Sequence, residues 1–576
     1  MLQQVIAMAA GRGEADVLFT NAHLLNLFSG EVEDTHVAVG RGVIVGIGPM
    51  YQRAREVYDL RGKYLLPGFI DGHVHLESSL LSPARYAEAV VPHGTTTVVA
   101  DPHEIANVAG ITGVAYMLKA TERLPLEVFF MVPSCVPATS LETAGAELGP
   151  GLVATLLRQR RVLGLAEVMN YPGVISGEGA LLQKILAAKR ARKLIDGHAP
   201  GLSGQALRAY LSAGIGSDHE CTMLEEAREK LSLGMRLMLR EGSASKNLEA
   251  LHPLVTPLTA RRCLLVSDDR DVWDLTQEGH MDAILRKAVA LGVPPLLAVQ
   301  MATLNPAEYF GLRRHGAVAP GYAADLVVVN DLKEFAVDLV FKRGRLVAEG
   351  GHLAAPLSEE VSEDLRHTVK LSSLSQEALR IPAKSGKVRV IGLVPGQLLT
   401  QQRILQPTVR GGCVMAEPAR DLLKLAVVER HRGTGNVGLG LVTGFGLRTG
   451  ALASSVAHDS HNLIAVGVED SDILCALQEV HRMGGGLAVC EGGRVRSSLA
   501  LPLAGLMTDA PLQRVIADVH ALHQSARALG TPLACPLMAL SFLALPVIPE
   551  LRLTDRGLVD VERSCVVPLY VTWVIR

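Results

Sequence analysis

Short apolar runs recur between residues 65 and 269, and this repetition limits the fold more than any other feature of the sequence. Helix-like stretches such as LLQKILAAKRARK and MLEEAREKLSLG separate most of the runs. Continuous apolar runs are typical of parallel strands that are buried on both faces. Eight strand–helix units in about 250 residues predict a TIM (β/α)8 barrel. The runs are LLPGFIDGHVH, TTTVVADPHE, EVFFMVPSC, VLGLAEVMN, KLIDGHAP, GIGSDHE, MRLMLREGSA and RCLLVSDD.

The chain has 576 residues, which is too long for one hydrophobic core. Strand patterns of period two occur before the barrel, and a similar pattern returns after it in AADLVVVN and AVDLVFKRGRLVAEGG. We therefore predict a small flanking β-sandwich domain from residues 1–65 plus 319–360, and a catalytic barrel at 66–318. After the acidic connector LSEEVSEDLRH, residues 375–576 are predicted to form an additional α/β domain. The predicted fold class is α/β.

Composition excludes several classes of protein. The formal net charge is −2, so no basic surplus indicates binding to nucleic acid or to an anionic membrane. Cysteines occur without CxxC pairs, which favours a reduced, cytoplasmic setting. The opening MLQQVIAMAA lacks the features of a signal peptide, so none is expected. Residues 528–549 carry no charge, but prolines divide them, which favours buried core over a membrane helix.

Histidines and carboxylates occupy the predicted carboxyl ends of the strands, where a TIM barrel builds its active site. In DGHVHLESS, the side chains of His73 and His75 point to the same face of a strand. One histidine alone is more often structural than a ligand. Six metal-competent groups at one barrel mouth are harder to explain by packing. The six predicted ligands are His73, His75, Glu167, His198, His219 and Asp268.

Six ligands of this kind suit two divalent ions. The two histidines of strand one and Asp268 would hold the first ion, and the histidines of strands five and six would hold the second, with Glu167 as a bridging carboxylate. Two such ions share a hydroxide and lower the pKa of its parent water by several units. Asp268 lies beside that water and can pass its proton to the leaving group. Imidazoles and carboxylates accept Zn, Mn, Fe or Co, so the ligands alone do not select the metal.

With these residues in place, the sequence resembles the amidohydrolase superfamily, through PGFIDGHVHLE, the histidines of strands five and six, the strand-eight aspartate and the flanking β-domain. Many members carry a carbamylated lysine at the end of strand four, where GLAEVMN offers Glu167; this departure weakens the resemblance to dihydroorotases and hydantoinases. The chain is more closely similar to the bacterial and archaeal adenine deaminase family, over nearly its whole length. The motifs concerned are GTTTVVADPHEIANVAG, EVMNYPGVI, DGHAPGLSG, REGSASKNL, EGHMDAIL, MATLNPAEYFGL, ASSVAHDSHNLIAVG, LPLAGLMTD and LSFLALPVIPELRLTDRGLVDVE.

This resemblance implies hydrolysis of adenine to hypoxanthine and ammonia in purine salvage, by attack of a metal-bridging hydroxide on C6 of the purine. It implies two Mn²⁺ ions, with Fe²⁺ or Zn²⁺ as alternatives. Adenine and water are then the partners, and we expect a homodimer in the cytoplasm. The alternative enzyme is an amidohydrolase that acts on another aminated heterocycle or on a cyclic amide. The alternative without activity is a barrel that serves as a scaffold.

Further polar residues near the strand ends receive roles through the same resemblance. Asp268 is the expected proton shuttle. Glu77, His103 and Glu104 are expected to contact the purine or assist proton transfer, or else to hold the ligand histidines by hydrogen bonds. Asp101 is interpreted as a supporting or capping group, and so is Glu220.

Two other positions are less directly tied to the chemistry. The polar cluster in VAHDSHN, which contains His458, Asp459 and His461, is interpreted as a structural loop or as one edge of the active-site entrance. The family continues the strand-eight motif as Asp-Asp-Arg-His-Pro, whereas this chain has Asp271 and Val272 after the arginine. A histidine beside the pocket is therefore missing, which puts substrate affinity or specificity in question.

Overall fold

A computed structural model gives the structure of the protein and describes residues 2–360, 362–394 and 396–571. The chain begins with one helix and a group of strands joined by polar turns. Side chains along the first of these strands are mostly buried on one face, as at Val17 and Phe19, which is typical of a half-buried sheet. These elements are α1 (Leu2–Ala9), β1 (Ala15–Leu25), β2 (Val32–Gly40), β3 (Val43–Ile47), β4 (Ala54–Asp59) and β5 (Tyr64–Pro67).

Strands alternating with helices follow, and the strands coincide with the eight apolar runs. Their side chains are buried on both faces, because helices cover the outside and side chains fill the inside. The elements are β6 (Phe69–Val74), α2 (Pro83–Val90), β7 (Thr95–Ala100), α3 (His103–Ala120), β8 (Glu127–Val132), α4 (Pro150–Leu156), β9 (Val162–Val168), α5 (Tyr171–Ser176), α6 (Gly179–Arg190), β10 (Leu194–Gly197), α7 (Gly204–Ser212), β11 (Ser217–Asp218), α8 (Leu224–Ser232), β12 (Arg236–Arg240), α9 (Leu248–Leu251), β13 (Cys263–Val266), α10 (Val272–Gln277), α11 (Met281–Ala290), α12 (Pro295–Met301) and α13 (Leu304–Tyr309).

These strands form two parallel arcs that close into a barrel. One arc has the order β10-β9-β8-β7-β6 and the other the order β11-β12-β13. The amide of Gly216 donates to Ile195 O at 2.9 Å across one seam, and the amide of Asp268 donates to His73 O at 3.0 Å across the other. The second seam brings the predicted ligands of strands one and eight side by side. The predicted (β/α)8 barrel is confirmed.

Strands on both sides of the barrel in sequence share one sheet. The returning strands are β14 (Leu326–Val329), β15 (Val337–Lys342), β16 (Arg345–Glu349) and β17 (His352–Leu353). Strand β14 pairs antiparallel with β5, and the order is β17-β16-β15-β14-β5-β1-β2-β3, with β4 on β1. The rings of Phe19 and Phe341 lie 4.8 Å apart although two strands separate theirs in the sheet. The sheet therefore curls on itself like a sandwich, while the exact domain limits stay predictions.

The C-terminal region is a mixed α/β domain, as predicted. Its main sheet has the order β20-β19-β24-β23-β26-β25-β27-β28, and α14 packs on it. The elements are β18 (Ile381–Pro382), β19 (Val388–Leu393), β20 (Thr400–Leu405), β21 (Thr408–Arg410), β22 (Cys413–Met415), β23 (Leu423–Val428), β24 (Val437–Thr443), β25 (Ala451–Ser454), β26 (Leu463–Gly467), α14 (Asp470–Arg482), β27 (Gly486–Glu491), β28 (Arg494–Ala500), α15 (Leu512–Ala528), α16 (Pro536–Ser541), β29 (Leu551–Thr554), β30 (Gly557–Asp560) and β31 (Cys565–Val567).

This domain lies against the mouth of the barrel. The amide of Thr508 donates to Leu80 O, and the amide of Ser82 donates to Thr508 O, both at 2.9 Å. Thr143, in the loop after β8, donates through its amide and its hydroxyl to the carboxylate of Asp555 at 2.9 and 2.7 Å. Residues 528–549 form short, largely buried pieces at this junction. In the described ranges, the helices are all too short or too polar to cross a membrane.

Candidate metal centre and active-site cavity

The six predicted ligands meet at the carboxyl end of the barrel. His73 lies on β6 and Glu167 on β9. The other four lie within two residues after the ends of β6, β10, β11 and β13. Each of the six is at most 5% exposed. The barrel thus brings together residues that are up to 195 positions apart in sequence, from His73 to Asp268. Their roles as ligands stay predictions.

Glu167 stands between two pairs of histidines. Its Oε1 lies 3.3 Å from His75 Nε2 and 3.8 Å from His73 Nε2. Its Oε2 lies 2.7 Å from His198 Nδ1 and 3.2 Å from His219 Nε2. One carboxylate oxygen therefore faces each pair, which is the arrangement that a bridging ligand requires.

Asp268 is held over the strand-one histidines by its backbone. It is bridged to β6 by its amide and has a φ of +59°, a left-handed conformation that aspartate tolerates better than most residues. Its Oδ1 lies 3.2 Å from His75 Nε2 and 3.4 Å from His73 Nε2. Burial alone would raise the pKa of Asp268, but the close approach of these two histidines and the charge of Arg240 hold it well below its usual range. The carboxylate is therefore ionised and available as a ligand or a base.

Arg240, at the end of β12, is a site residue that the sequence did not reveal. It is 2% exposed, donates to Asp268 Oδ2 at 2.8 Å, and makes a two-bond contact with the Glu220 carboxylate. Charged groups rarely end a buried strand without a partner, so the arginine in MRLMLR was the available signal. Glu220 itself lies 3.4 Å from His219 Nε2, close enough to belong to the ligand cluster as well as to support it.

The donor set fits divalent metal ions. His73 Nε2 and His198 Nε2 are buried ring nitrogens without a hydrogen-bond partner among the described residues. Buried polar atoms normally have a partner, and a metal ion is one way to supply it. Imidazole and carboxylate donors suit first-row divalent metals. Several overlapping groups of donor atoms, including His73 with His75 and Asp268 and His73 with Glu167 and His219, lie close enough to share an ion.

The other three predicted catalytic residues are His103, Glu104 and Glu77, and they occupy two different places. His103 and Glu104 line the cavity at the metal centre: His103 Nδ1 lies 3.0 Å from Asp101 Oδ2 and 3.6 Å from Glu167 Oε1. Glu77 instead lies outside this cavity, where its Oε1 accepts a hydrogen bond from the amide of Ile105 at 3.2 Å. Burial raises the pKa of Glu77 to about 7. This placement favours a supporting role for Glu77 over direct contact with a substrate.

The cavity above these residues, which we call the active-site cavity, is narrow. The barrel forms its floor, and the C-terminal domain forms its outer wall. The wall residues are Leu398, His458, Asp459, Phe542, Leu545 and Ile548. Both His458 and Asp459 belong to the polar cluster interpreted as an edge of the entrance, and their position agrees with that interpretation.

The strand-eight departure lies outside this cavity. Asp271 is the N-cap of α10, and its Oδ1 accepts the amide of Asp274 at 2.9 Å. Asp271 lines a second cavity together with His523 and Cys535. Burial, reinforced by the charge of Asp274, raises the pKa of Asp271 to about 7. Asp271 can therefore affect substrate specificity only indirectly, because it lines the second cavity and not the active-site cavity.

Comparisons with known proteins agree along the chain. Residues 64–347 match the amidohydrolase family, and residues 397–565 match the adenine deaminase C-terminal domain. An adenine deaminase of Dehalococcoides mccartyi is 49% identical over 567 residues, which cover 98% of this chain and 99% of that protein. An adenine deaminase 2 of Carboxydothermus hydrogenoformans is 50% identical over 572 residues, which cover 99% of both. An adenine deaminase of Oleidesulfovibrio alaskensis is 49% identical over 575 residues, again 99% of both.

Proposed function

The chain belongs to the adenine deaminase family of amidohydrolases, and we propose that it hydrolyses adenine to hypoxanthine and ammonia. The observation that carries this proposal is the position of Glu167 between two histidine pairs, beneath a cavity closed by the family's own C-terminal domain. A scaffold protein would have no physical need for this buried set of donors, because burying unpaired charges is costly.

We propose that two Mn²⁺ ions occupy this centre, with Fe²⁺ or Zn²⁺ as alternatives. The predicted ligands are the four histidines with Glu167 and Asp268. When bound, two divalent ions would lower the pKa of a water molecule and so supply a nucleophile near neutral pH. Metal analysis of protein purified after growth with each metal, paired with the adenine assay, would identify the ion that supports activity.

Asp268 is the proposed proton carrier. Arg240 fixes its Oδ2, so Oδ1 is the oxygen that faces the strand-one histidines, and we propose that Oδ1 takes the proton from the reacting water. Attack of water on C6 of adenine forms the C–O bond and opens the C6=N1 π bond, so both protons of the water must be moved, one to N1 and one to the amino group. Asp268 takes the protons from the attacking oxygen and delivers the second to the amino group, which leaves as ammonia when the C–N bond breaks and C6=O forms. His103 and Glu104, on the cavity wall, are placed to bind the purine and to assist proton transfer at a ring nitrogen.

The reaction is tested by incubating Mn²⁺-loaded protein with adenine. We expect adenine to be converted to hypoxanthine, followed by ultraviolet absorbance, with one ammonia released per adenine. The variant Asp268→Asn keeps the size and most hydrogen bonds of the side chain but cannot carry the proton, so it should fold and show no turnover. Metal-loaded wild-type protein that leaves adenine unchanged but opens hydantoin or dihydroorotate would refute the proposal in favour of a cyclic amidase.

The setting of the reaction is part of the proposal. We propose purine salvage in the cytoplasm as the role and a homodimer as the assembly. The near-neutral net charge and the unpaired cysteine pattern support the first part. Light scattering coupled to size-exclusion chromatography would test the second, because a dimer has twice the 61.3 kDa mass of one chain.

A further inference from the structure

Two histidines of the C-terminal domain are hydrogen-bonded to a buried carboxylate of the barrel. Glu104 lies in the first turn of α3, and the histidines lie in residues 455–462, between β25 and β26, which we call the histidine loop. His458 Nδ1 is 2.5 Å from Glu104 Oε1, and His461 Nε2 is hydrogen-bonded to Glu104 Oε2. All three side chains are at most 2% exposed. The contact joins residues that are more than 350 positions apart.

The direction of the hydrogen bond between His461 and Glu104 follows from the contact at the other nitrogen of the His461 ring. The backbone amide of Ala457 donates to His461 Nδ1 at 3.1 Å, so that nitrogen has no proton to give. The proton of a neutral ring must then be on Nε2, which donates it to Glu104. Each oxygen of Glu104 thus receives one N–H, which fixes the plane of the carboxylate.

The histidine loop is itself held rigidly. Buried Arg430 donates to His461 O and, at 3.0 Å, to Ala504 O. The Asn462 side chain donates to Thr143 O in the barrel at 2.8 Å. His461 has a φ of +55°, an uncommon conformation for a residue other than glycine, and such positions persist only where surrounding bonds determine them. The loop is therefore built to present these rings in one orientation.

On its other side, Glu104 faces the metal centre. Its Oε1 lies 3.2 Å from His103 Nε2, and His103 Nδ1 lies 3.6 Å from Glu167 Oε1. The ring of His458 stacks on Phe542 at 4.3 Å, which aligns it along the outer wall of the active-site cavity. A carboxylate accepts hydrogen bonds only, and adenine presents N–H donors on its amino group and its five-membered ring. Glu104 therefore complements the substrate if its orientation is fixed.

Direct hydrogen bonding explains this cluster better than a shared metal ion. Two ligand atoms on one ion, each roughly 2.1 Å from it, stand about 3 Å apart at a right angle. The spacing of 3.2 Å between His75 Nε2 and Asp268 Oδ1 agrees with that value. The contact of 2.5 Å between His458 and Glu104 is shorter and leaves no room for an ion between the two atoms.

We propose that His461 and His458 are positioning residues, through which the C-terminal domain orients Glu104 to accept a hydrogen bond from the substrate. The proposal rests on the proposed function, because Glu104 acts on the purine only if the purine is the substrate. The hydrogen bonds that orient Glu104 come from the C-terminal domain. The barrel alone would therefore hold the metal centre but would bind the substrate poorly. Loss of a single N–H donor should then impair catalysis without removing metal.

The test compares His461→Leu with His461→Gln in the full-length, Mn²⁺-loaded protein. Leucine cannot donate, whereas the glutamine amide can reach a similar position and donate to Glu104. We expect His461→Leu to keep two equivalents of metal and to lower kcat/KM for adenine roughly 100-fold, the scale of a displaced catalytic group. His461→Gln should recover at least about tenfold of that loss. His523→Leu, a buried histidine of the same domain that lines the second cavity, is the matched control and should stay within about twofold of wild type.

Equal kcat/KM for wild type and His461→Leu would overturn the proposal, and so would glutamine performing no better than leucine. If the wild type binds a third metal equivalent and His461→Leu does not, the histidines and Glu104 form a cation site and the proposal is wrong. A proton NMR experiment separates these results from failure of the proposed function. A downfield ring N–H resonance should vanish in both His461→Leu and Glu104→Gln, even if the wild type does not act on adenine. If no resonance is lost in both variants, the bond itself is absent and the proposal fails.

Discussion

The substitution Asp271→Asn tests how a buried carboxyl beside the second cavity affects folding. Asp271 is 6% exposed and caps α10 through the amide of Asp274. Burial, followed by the charge of Asp274, raises the pKa of Asp271 to about 7, against an ordinary value of 3.8. Arg270 partly offsets that rise, and His523 and Cys535 share the cavity. Between about pH 4 and pH 7, the folded protein therefore holds a proton on Asp271 that the unfolded chain has already released.

The sign and size of the effect follow from proton linkage. Between about pH 4 and pH 7 the unfolded state binds fewer protons than the folded state, so the free energy of unfolding falls as pH rises. Each pKa unit corresponds to about 1.4 kcal/mol, so the shift sets an upper limit of ~4 kcal/mol above pH 7. Relaxation around the group reduces this value. We expect Asp271→Asn to stabilise the fold by about 1–3 kcal/mol near pH 8 and by much less near pH 4, since asparagine keeps the helix cap.

Urea unfolding near pH 8 and near pH 4 measures this difference. Trp273 lies in α10 and stacks on His520 of α15 at 4.9 Å, so its fluorescence reports the region concerned. A Trp573→Phe background makes it the sole tryptophan. Glu31→Gln, which removes one exposed negative charge, is the control for a change in net charge. Equal stabilisation at both pH values, or none, would refute the reasoning. Activity on adenine should not change, because Asp271 does not border the active-site cavity among the described residues.

Three further predictions concern the metal centre and the domain contact. Glu167→Gln should lower bound metal from two equivalents to one or fewer and abolish turnover, and elemental analysis showing two retained ions would contradict its bridging role. Arg240→Met should destabilise the metal-free protein by about 3–5 kcal/mol in thermal unfolding, because it takes the permanent positive charge away from two buried carboxylates; an unchanged midpoint would count against this. Asp555→Ala removes two hydrogen bonds from Thr143 and should weaken docking of the C-terminal domain by about 2–3 kcal/mol, seen as faster limited proteolysis at the junction.

Much of the barrel could be predicted from the sequence, because its strands are signalled locally. A parallel strand buried on both faces must be apolar throughout, so a histidine or carboxylate marks the point where it ends. His198 and His219 could be assigned to strand ends for that reason. The family assignment and the fold class are confirmed, and the structure brings all six predicted ligands together.

The remainder depends on contacts that leave no local pattern. Phe542 and Ile548 on the cavity wall are ordinary apolar residues in sequence, and only tertiary packing gives them their position. The pairing of Glu104 with His461 joins two domains, and hydrogen-bond complementarity over that separation cannot be read from spacing. The curl of the β-domain sheet likewise follows from long-range packing of Phe19 on Phe341.

The distribution of charge at the barrel mouth predicts that this site folds before it binds metal. Buried carboxylates without counter-charges are costly, and a site made only of Glu167, Glu220 and Asp268 would repel itself in the metal-free chain. Arg240 supplies a permanent cation to two of these three groups, and protonated histidines can serve the third. Metal ions must displace those protons, whereas Arg240 binds Asp268 through Oδ2 and leaves Oδ1 facing the strand-one histidines. We therefore expect the metal-free site to be organised in advance, so that binding energy is not spent on ordering the ligands.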